Sequence, residues 1–452
     1  NFNDLEEDYE VGFICREQKS TLQPSDFFAK QVITKANRRT IQMKIALSII
    51  GVILVALCIL TAIRWDAWFH NPEEQPYKAS DVPSRVILTF GNHGENSRFV
   101  GWTCGEEVDK SARLYLVCDS DTIAYPATGE VFVSRSGKAA FYRCELKGLK
   151  PQQEYSYQVE TEGVKSKWYR FHTSNPKAKS FSFMYVGDVQ DTINGVVNSM
   201  LKRAIQRHPE VEFVAFAGDL IERPTDAYFN ETFRGIDSIC TAMPIMNVTG
   251  NHDYLKYPLR KLERRFSLTF PYFLKGMEER DDNNQLFALK YHNTAFFLLD
   301  SDREIFFLFA QAAWLKTQME KIKADHRIVM LHHPLYSVRR ENNNLIQRWM
   351  FNDIICDAKA DLVLQGHEHG YAHCTADETP LKGHDCLNPP LYVISHCSPK
   401  EYHLHPSKRF YPVIQGSRYY QIIDVDAKAV TYKAYDVAND ALIDSVRITK
   451  PK

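Results

Sequence analysis

One run of residues differs from everything around it: Ile45 to Ile63 (IALSIIGVILVALCILTAI) is apolar throughout and carries no charge. An uninterrupted stretch of about 20 such residues is what an α-helix needs to cross the hydrocarbon layer of a membrane. A core helix would keep a polar face, and a signal peptide does not follow a long polar segment. The pattern therefore predicts a single transmembrane helix over 41–64 and a single-pass contact with the lipid bilayer. Lys30, Lys35, Arg38, Arg39 and Lys44 precede the run and only Arg64 follows it closely. Cationic flanks stay on the cytoplasmic side, so residues 1–40 are expected to be a cytoplasmic tail and the remainder periplasmic, lumenal or extracellular. Trp65, Trp68 and Phe69 suit the far interface. Residues 65–84 then read as a linker, with Pro-containing Asn71 to Ser80 (NPEEQPYKAS) as a spacer. The tail shows an acidic patch from Asp4 to Glu10, a basic juxtamembrane stretch and no periodicity. It reads as a solvated segment, and docking of a membrane-protein partner stays open.

From residue 85 to 174 the pattern changes to short alternating runs separated by turn signals, as in Arg85 to Phe90, Ser97 to Trp102 and Ala112 to Val117. Period-two alternation at this spacing predicts an all-β sandwich. Leu149 to Val159 (LKPQQEYSYQV) resembles the corner of fibronectin type III domains, in which a tyrosine hydroxyl satisfies a nearby backbone group. No catalytic cluster falls in this region, which reads as a spacer or lid beside the domain that follows.

Between 178 and 449 five near-continuous apolar runs stop abruptly at oxygen or nitrogen ligands: Phe181 to Asp188, Val211 to Asp219, Met243 to Asp253, Arg327 to His333 and Asp361 to His369. Such runs suit strands buried on both faces, and in such sheets ligands gather just beyond the strand ends. Amphipathic segments over Gly195 to Arg207 and Gln311 to Ala324 lie between them, which predicts a layered α/β domain. Ser417 to Lys450 alternates like closing strands, with breaks at Asp426 and Asn439. Gly187, Gly218, Gly250 and Gly366 precede candidate ligands, where a missing Cβ permits a sharp turn and close approach.

Charge narrows the chemistry. Lys+Arg 55 against Asp+Glu 56 gives a formal net charge of -1, so no global field recruits nucleic acid and none is expected as a partner. Of the 16 histidines, His252, His332, His333, His367 and His369 fall in three tight clusters, as a metal site requires, whereas the 10 cysteines form no zinc-ribbon spacing. A Cys374 to Cys386 disulfide is conceivable outside the cytoplasm, although spacing alone does not establish it.

The ordered set GD (188), GD (219), GNHD (250–253), HHP (332–334) and GHEH (366–369) resembles the calcineurin-type metallophosphoesterase superfamily. A β-sandwich directly before such a domain resembles purple acid phosphatases. The resemblance implies a four-layer αββα catalytic domain with two divalent metal ions, Mn, Fe or Zn. By that carry-over Asp219 bridges both ions, Asp188 and His369 serve the first, and Asn251, His332 and His367 serve the second. His252 is then the catalytic proton donor or orienting group, and His333 either faces the substrate or packs. Two departures stand out: Gln190 occupies the place of the usual Asp-x-His histidine, and Glu222 that of the metal-binding tyrosine of purple acid phosphatases. Gln190 or Glu222 is left to complete the first ion's shell, Gln190 being the better candidate; without tyrosinate, exchangeable divalent ions are favoured and no purple colour is expected. Walls of the pocket are sought in Tyr254 to Arg265 and Arg339 to Arg348, where Arg339, Arg340 and Arg348 are candidate phosphate contacts beside the alternative of a solvated basic face. The expected function is a membrane-anchored hydrolase of phosphate esters; the alternative is a catalytically silent subunit of a membrane assembly.

Overall fold

The computed structural model describes residues 24–272, 285–339, 344–376 and 390–449; Arg340 and Cys386 lie outside them. A helix occupies Pro24–Phe69, longer at both ends than the apolar run. Pro24 suits the first helical position, where the N–H has no partner in any case. No other proline and only Gly51 interrupt the segment, so the basic juxtamembrane stretch is helical too. The helix stops ahead of Pro72, which disfavours helical geometry at Asn71. Its stretch Arg38–Phe69 is long and apolar enough to cross a membrane and is exposed along its length.

From Asn71 onward the chain forms a separate compact unit. An all-β region comes first and an α/β region follows. The β region has two faces. One is a five-stranded sheet that includes Arg113–Cys118, Glu154–Thr161 and Tyr169–His172. The strands of the other face, Ser84–Gly91, Gly94–Thr103, Thr128–Val133 and Lys138–Leu146, continue into the α/β region as one ten-stranded sheet. The junction is a parallel pairing of Ser84–Gly91 with Ile245–Asn247 that aligns Thr89 with Ile245. The β region is therefore hydrogen-bonded into the sheet that carries the candidate ligands. Tyr155 makes the corner contact, its hydroxyl accepting from the N–H of Lys150 at 2.8 Å.

The ten-stranded sheet also contains Ser180–Val186, Val211–Phe216 and the closing strands Tyr419–Asp426, Ala429–Asp436 and Leu442–Thr449. A seven-stranded sheet holds Thr294–Leu298, His326–Met330, Leu362–Gln365 and Leu391–Ile394 in parallel. Phe183 and Phe213 from the first sheet meet Phe296 of the second, with ring centroids 5.4 and 5.5 Å away. Each such fully buried ring contributes roughly 1.5–3 kcal/mol. Helix Val197–Arg207 buries Val197, Met200, Leu201 and Ala204, the one-face spacing that its sequence predicts. Helix Ile305–Lys321 begins earlier than the amphipathic pattern from Gln311, and it buries Leu308, Gln311, Leu315 and Met319. Helix Leu345–Asp357 lies beside it and buries Met350, Phe351 and Ile355.

Candidate metal centre

Each of the five runs is a strand that ends before its polar residues, so the side chains of Asp188, Asp219, Asn251, His332, His367 and His369 leave the sheets on one side. The backbone turns sharply to achieve this. Asp188 (φ 44°), Asp219 (φ 49°), His367 (φ 72°) and His369 (φ 45°) all occupy the left-handed region. For residues with a Cβ this conformation costs of order 1–3 kcal/mol each, and it persists where the surroundings over-determine it, typically at functional sites.

The side chains converge. Nε2 of His332 lies 3.2 Å from Asp219 Oδ2 and 3.2 Å from Asn251 Oδ1. Asn251 Oδ1 also lies 2.9 Å from His367 Nδ1, which is 3.3 Å from His332 Nε2. On the other side His369 Nε2 is 3.5 Å from Asp188 Oδ1. Atoms of Asp188, Asp219 and His332 fall within 4.8 Å of one another, all buried, close enough to share one ion. Outer hydrogen bonds fix the ring tautomers. Nδ1 of His332 faces the Ala217 carbonyl at 2.8 Å and Nδ1 of His369 faces the Lys400 carbonyl at 3.0 Å. A carbonyl only accepts, so both Nδ1 atoms carry a proton and both Nε2 atoms face inward, the usual arrangement around metal-ligating histidines.

Electrostatics agree. Burial opposes the charge on Asp219, but His332 and His252 outweigh it and hold the carboxyl below its usual range. Burial also opposes a charged His332, and Asp219 more than offsets it. Without an ion the carboxylates draw a proton onto a neighbouring imidazole, which is the demand that a cation would meet. Asp188 Oδ1 and both amide atoms of Gln190 are buried with no hydrogen-bond partner among the described residues. Two carboxylates, an amide oxygen and three imidazoles form a donor set that fits borderline divalent ions.

The remaining predicted residues divide. His252 donates from its backbone N–H to Asp219 Oδ1 at 2.8 Å, and its Nδ1 faces the Glu222 carbonyl at 2.5 Å. Its Nε2 is 3.9 Å from Asp219 Oδ2. With Asn251 it lines a cleft of roughly 350 Å³, closed on another side by Asn71, Pro72 and Glu73. The Glu222 carboxylate is taken by Lys400 at 2.7 Å, so the position of the missing tyrosine carries a surface ion pair. Gln190, by contrast, is buried beside the ligands, its N–H bound to the Asp219 carbonyl at 2.9 Å. We expect Gln190→Ala to weaken retention of one metal equivalent by about 10- to 100-fold, and Glu222→Gln to leave metal content unchanged. Elemental analysis after graded chelation reads both.

His333 packs against His367, ring centroids 4.2 Å apart, and its Nδ1 is 3.3 Å from Asp302 Oδ1. Burial and the neighbouring His367 keep its pKa well below the usual value. Arg339 stacks its guanidinium 3.8 Å from the ring centre of Tyr402, which in turn lies against His369. Arg348 instead sits over Tyr336. Glu368 organises this side by accepting from the N–H groups of Val338 and Arg339 at 2.7 and 3.1 Å. His396 was not foreseen. It follows strand Leu391–Ile394, its buried ring stacks on His369 at 5.5 Å, and burial and His369 push its pKa down to about 4. A sixth apolar run, Leu391 to His396, likewise stops at a polar donor, as the other five do.

Comparison with known families places these motifs. The model for calcineurin-like phosphoesterases matches residues 181–371, the segment that contains the six converging side chains, and the purple acid phosphatase N-terminal domain matches 83–173. Together the two matches support a purple acid phosphatase-like metallophosphoesterase. Among solved structures, this metallophosphoesterase is similar to GAP50, the anchor in the inner membrane complex of Plasmodium, at 14% identity over 61% of this chain and 90% of that one, with a TM-score of 0.43. Type I pullulanase of Bacillus subtilis matches at 11% identity over 67% and 48% of the two chains, with a TM-score of 0.15.

Proposed function

We propose that this chain is a membrane-anchored hydrolase of phosphate esters that works with two divalent ions outside the cytoplasm. The observation that carries the reading is the pairing of ligand sets around Asp219: Asp188 and His369 on one side, Asn251, His332 and His367 on the other. In this reading Asp219 would serve both ions and Gln190 would complete the first set. Bound ions would supply Lewis acidity to the phosphoryl oxygens and an activated water for in-line attack. The chain's own residues do the rest. Asn251 adds an oxygen donor without further negative charge. His252, anchored through Nδ1 and partly exposed to the cleft, would present Nε2 to the leaving oxygen as proton donor. Arg339, held by Tyr402 and by the loop that Glu368 organises, is the candidate contact for a phosphate. The exposed apolar helix and the basic residues before it support anchoring with residues 1–40 in the cytoplasm.

A second reading is a silent subunit of a membrane assembly. The Lys400–Glu222 pair at the tyrosine position favours it. The test uses the full chain in detergent, measuring metal content and hydrolysis of an aryl phosphate monoester and diester, with Asn251→Ala/His332→Ala as control. We expect about two metal equivalents, no intense visible band, and at least about 100-fold less turnover in the control. No bound metal and no turnover after Mn²⁺, Fe²⁺ or Zn²⁺ addition would sink the hydrolase and leave the silent subunit.

A further inference from the structure

Helices Ile305–Lys321 and Leu345–Asp357 follow the neighbouring parallel strands Thr294–Leu298 and His326–Met330, the second of which leads to His332, and the starts of both helices are apolar yet uncovered. Ile305, Phe306 and Phe309 on one helix and Leu345, Ile346 and Trp349 on the next are all exposed, Trp349 by 66% and the two phenylalanines by 53% each. The two helices meet here, Phe309 edge-on to Trp349 at 5.6 Å. The patch adjoins the site, because Gln347 donates to the Ser301 carbonyl at 3.1 Å and Ser301 accepts from the N–H of His333 at 2.8 Å. Nothing among the described residues covers it.

A loop extends the patch and supplies charge. Tyr257 and Leu259 are exposed in sequence with Lys256, Arg260 and Lys261, and the N–H of Arg260 is bound to Glu304 Oε1 at 2.6 Å, next to Ile305. Aromatic and aliphatic side chains interleaved with cations suit a lipid–water interface: the rings enter the acyl boundary and the cations stay with the phosphates. A protein-binding face would be depleted of lysine. The same loop receives the chain that follows the apolar helix. Asn71, separated from Phe69 only by His70, donates to the Lys256 carbonyl and accepts from the Lys256 N–H, both at 2.8 Å.

We propose that this face, Tyr257 to Lys261 with the first turns of the two helices, docks on the surface of the bilayer that holds the chain. The inference rests on the membrane anchoring proposed above and not on hydrolysis. It is tested with the full chain reconstituted in phosphatidylcholine vesicles whose acyl chains are brominated near the headgroup, compared with unbrominated vesicles. The readout is the emission lost on Trp349→Phe, in which the contributions of Trp65 and Trp68 cancel. Brominated lipid is expected to quench at least half of the Trp349 emission, and Phe306→Glu/Phe309→Glu to restore most of it. Equal Trp349 emission in both lipids, in chains that float with the vesicles, overturns the docking. Quenching absent but Trp349 shielded from water in proportion to protein density also overturns it, in favour of a second copy as occupant. Chains that fail to float would instead sink the anchoring.

Discussion

Gly250→Ala is expected to lose both metal equivalents and to reduce hydrolysis to the background of the assay, while the far-ultraviolet signature of the two sheets remains. A Cβ built on Gly250 would lie 2.1 Å from Asp219 Oδ1 and 2.3 Å from the Asp219 backbone nitrogen. Real Cβ contacts do not approach so closely, and one of the clashing atoms is main chain, so no rotamer change relieves both. The residue held there is the proposed shared ligand, already in a left-handed conformation at φ 49°. Asp253 tightens the same turn: its carboxylate accepts from the Gly250 N–H at 2.8 Å, and burial and Asp219 push its pKa up to about 8. Either Asp219 or the 250–253 turn must move by more than an ångström, and Asn251 and His252 move with the turn. Proximity catalysis is lost steeply over such distances. Gly366 is the milder case: its added Cβ would meet the side-chain Asp188 Oδ2 at 2.5 Å, and the nearest main-chain atom, the Ala217 carbonyl oxygen, only at 3.2 Å. A Gly250→Ala protein that kept two metals and its turnover would show that Asp219 is not held against this turn.

The six converging side chains were legible because their signal is local: an apolar run, in most cases a glycine, then a polar donor, repeated along the chain. The apolar helix was legible for the same reason. Features built from single residues far apart in sequence left no such trace. Asn71 to Ser80 reads as a spacer, yet Asn71 is bonded to Lys256, and the side chain of Glu74 is buried against Arg265 at 2.8 Å. The pairing that joins Ser84–Gly91 to Ile245–Asn247 depends on register across more than a hundred residues, which alternation within either strand does not specify. Periodicity also misplaced the start of helix Ile305–Lys321. Phe306 and Phe309 break the expected polar face, and a pattern that equates apolar with buried has no place for an apolar surface. Gln190 reads from sequence as the better replacement for the missing donor, but what occupies Glu222 instead, its pairing with Lys400 from far along the chain, left no trace there.

Asp226→Ala is expected to destabilise the β and α/β regions together by about 3–5 kcal/mol, the cost of removing one partner from a buried ion pair. Asp226 Oδ1 receives Arg85 at 2.8 Å; Oδ2 receives Arg265 at 2.9 Å and the Ser136 hydroxyl at 2.5 Å. Arg85 and Ser136 come from the β region, Arg265 and Asp226 from the α/β region, and Glu74 closes the network on Arg265 from the preceding segment. The arginine side chains are only 4% and 1% exposed, so neither cation is left an escape to water. Asp226 also opens helix Asp226–Gly235, where the helix dipole favours a negative charge. In thermal melts the variant should unfold roughly 5–10 °C lower. The pH dependence has a definite sign. Burial raises the Asp226 carboxyl, but Arg85 and Arg265 lower it more, so its folded pKa lies below the unfolded value. Its stabilisation is therefore full above the ordinary aspartate range and fades as the pH falls through the depressed folded value. Wild type and Asp226→Ala should accordingly differ most near neutrality and converge under acid. A constant gap in melting temperature from neutral pH down to strongly acidic pH would mean that packing, not charge, joins the two regions here.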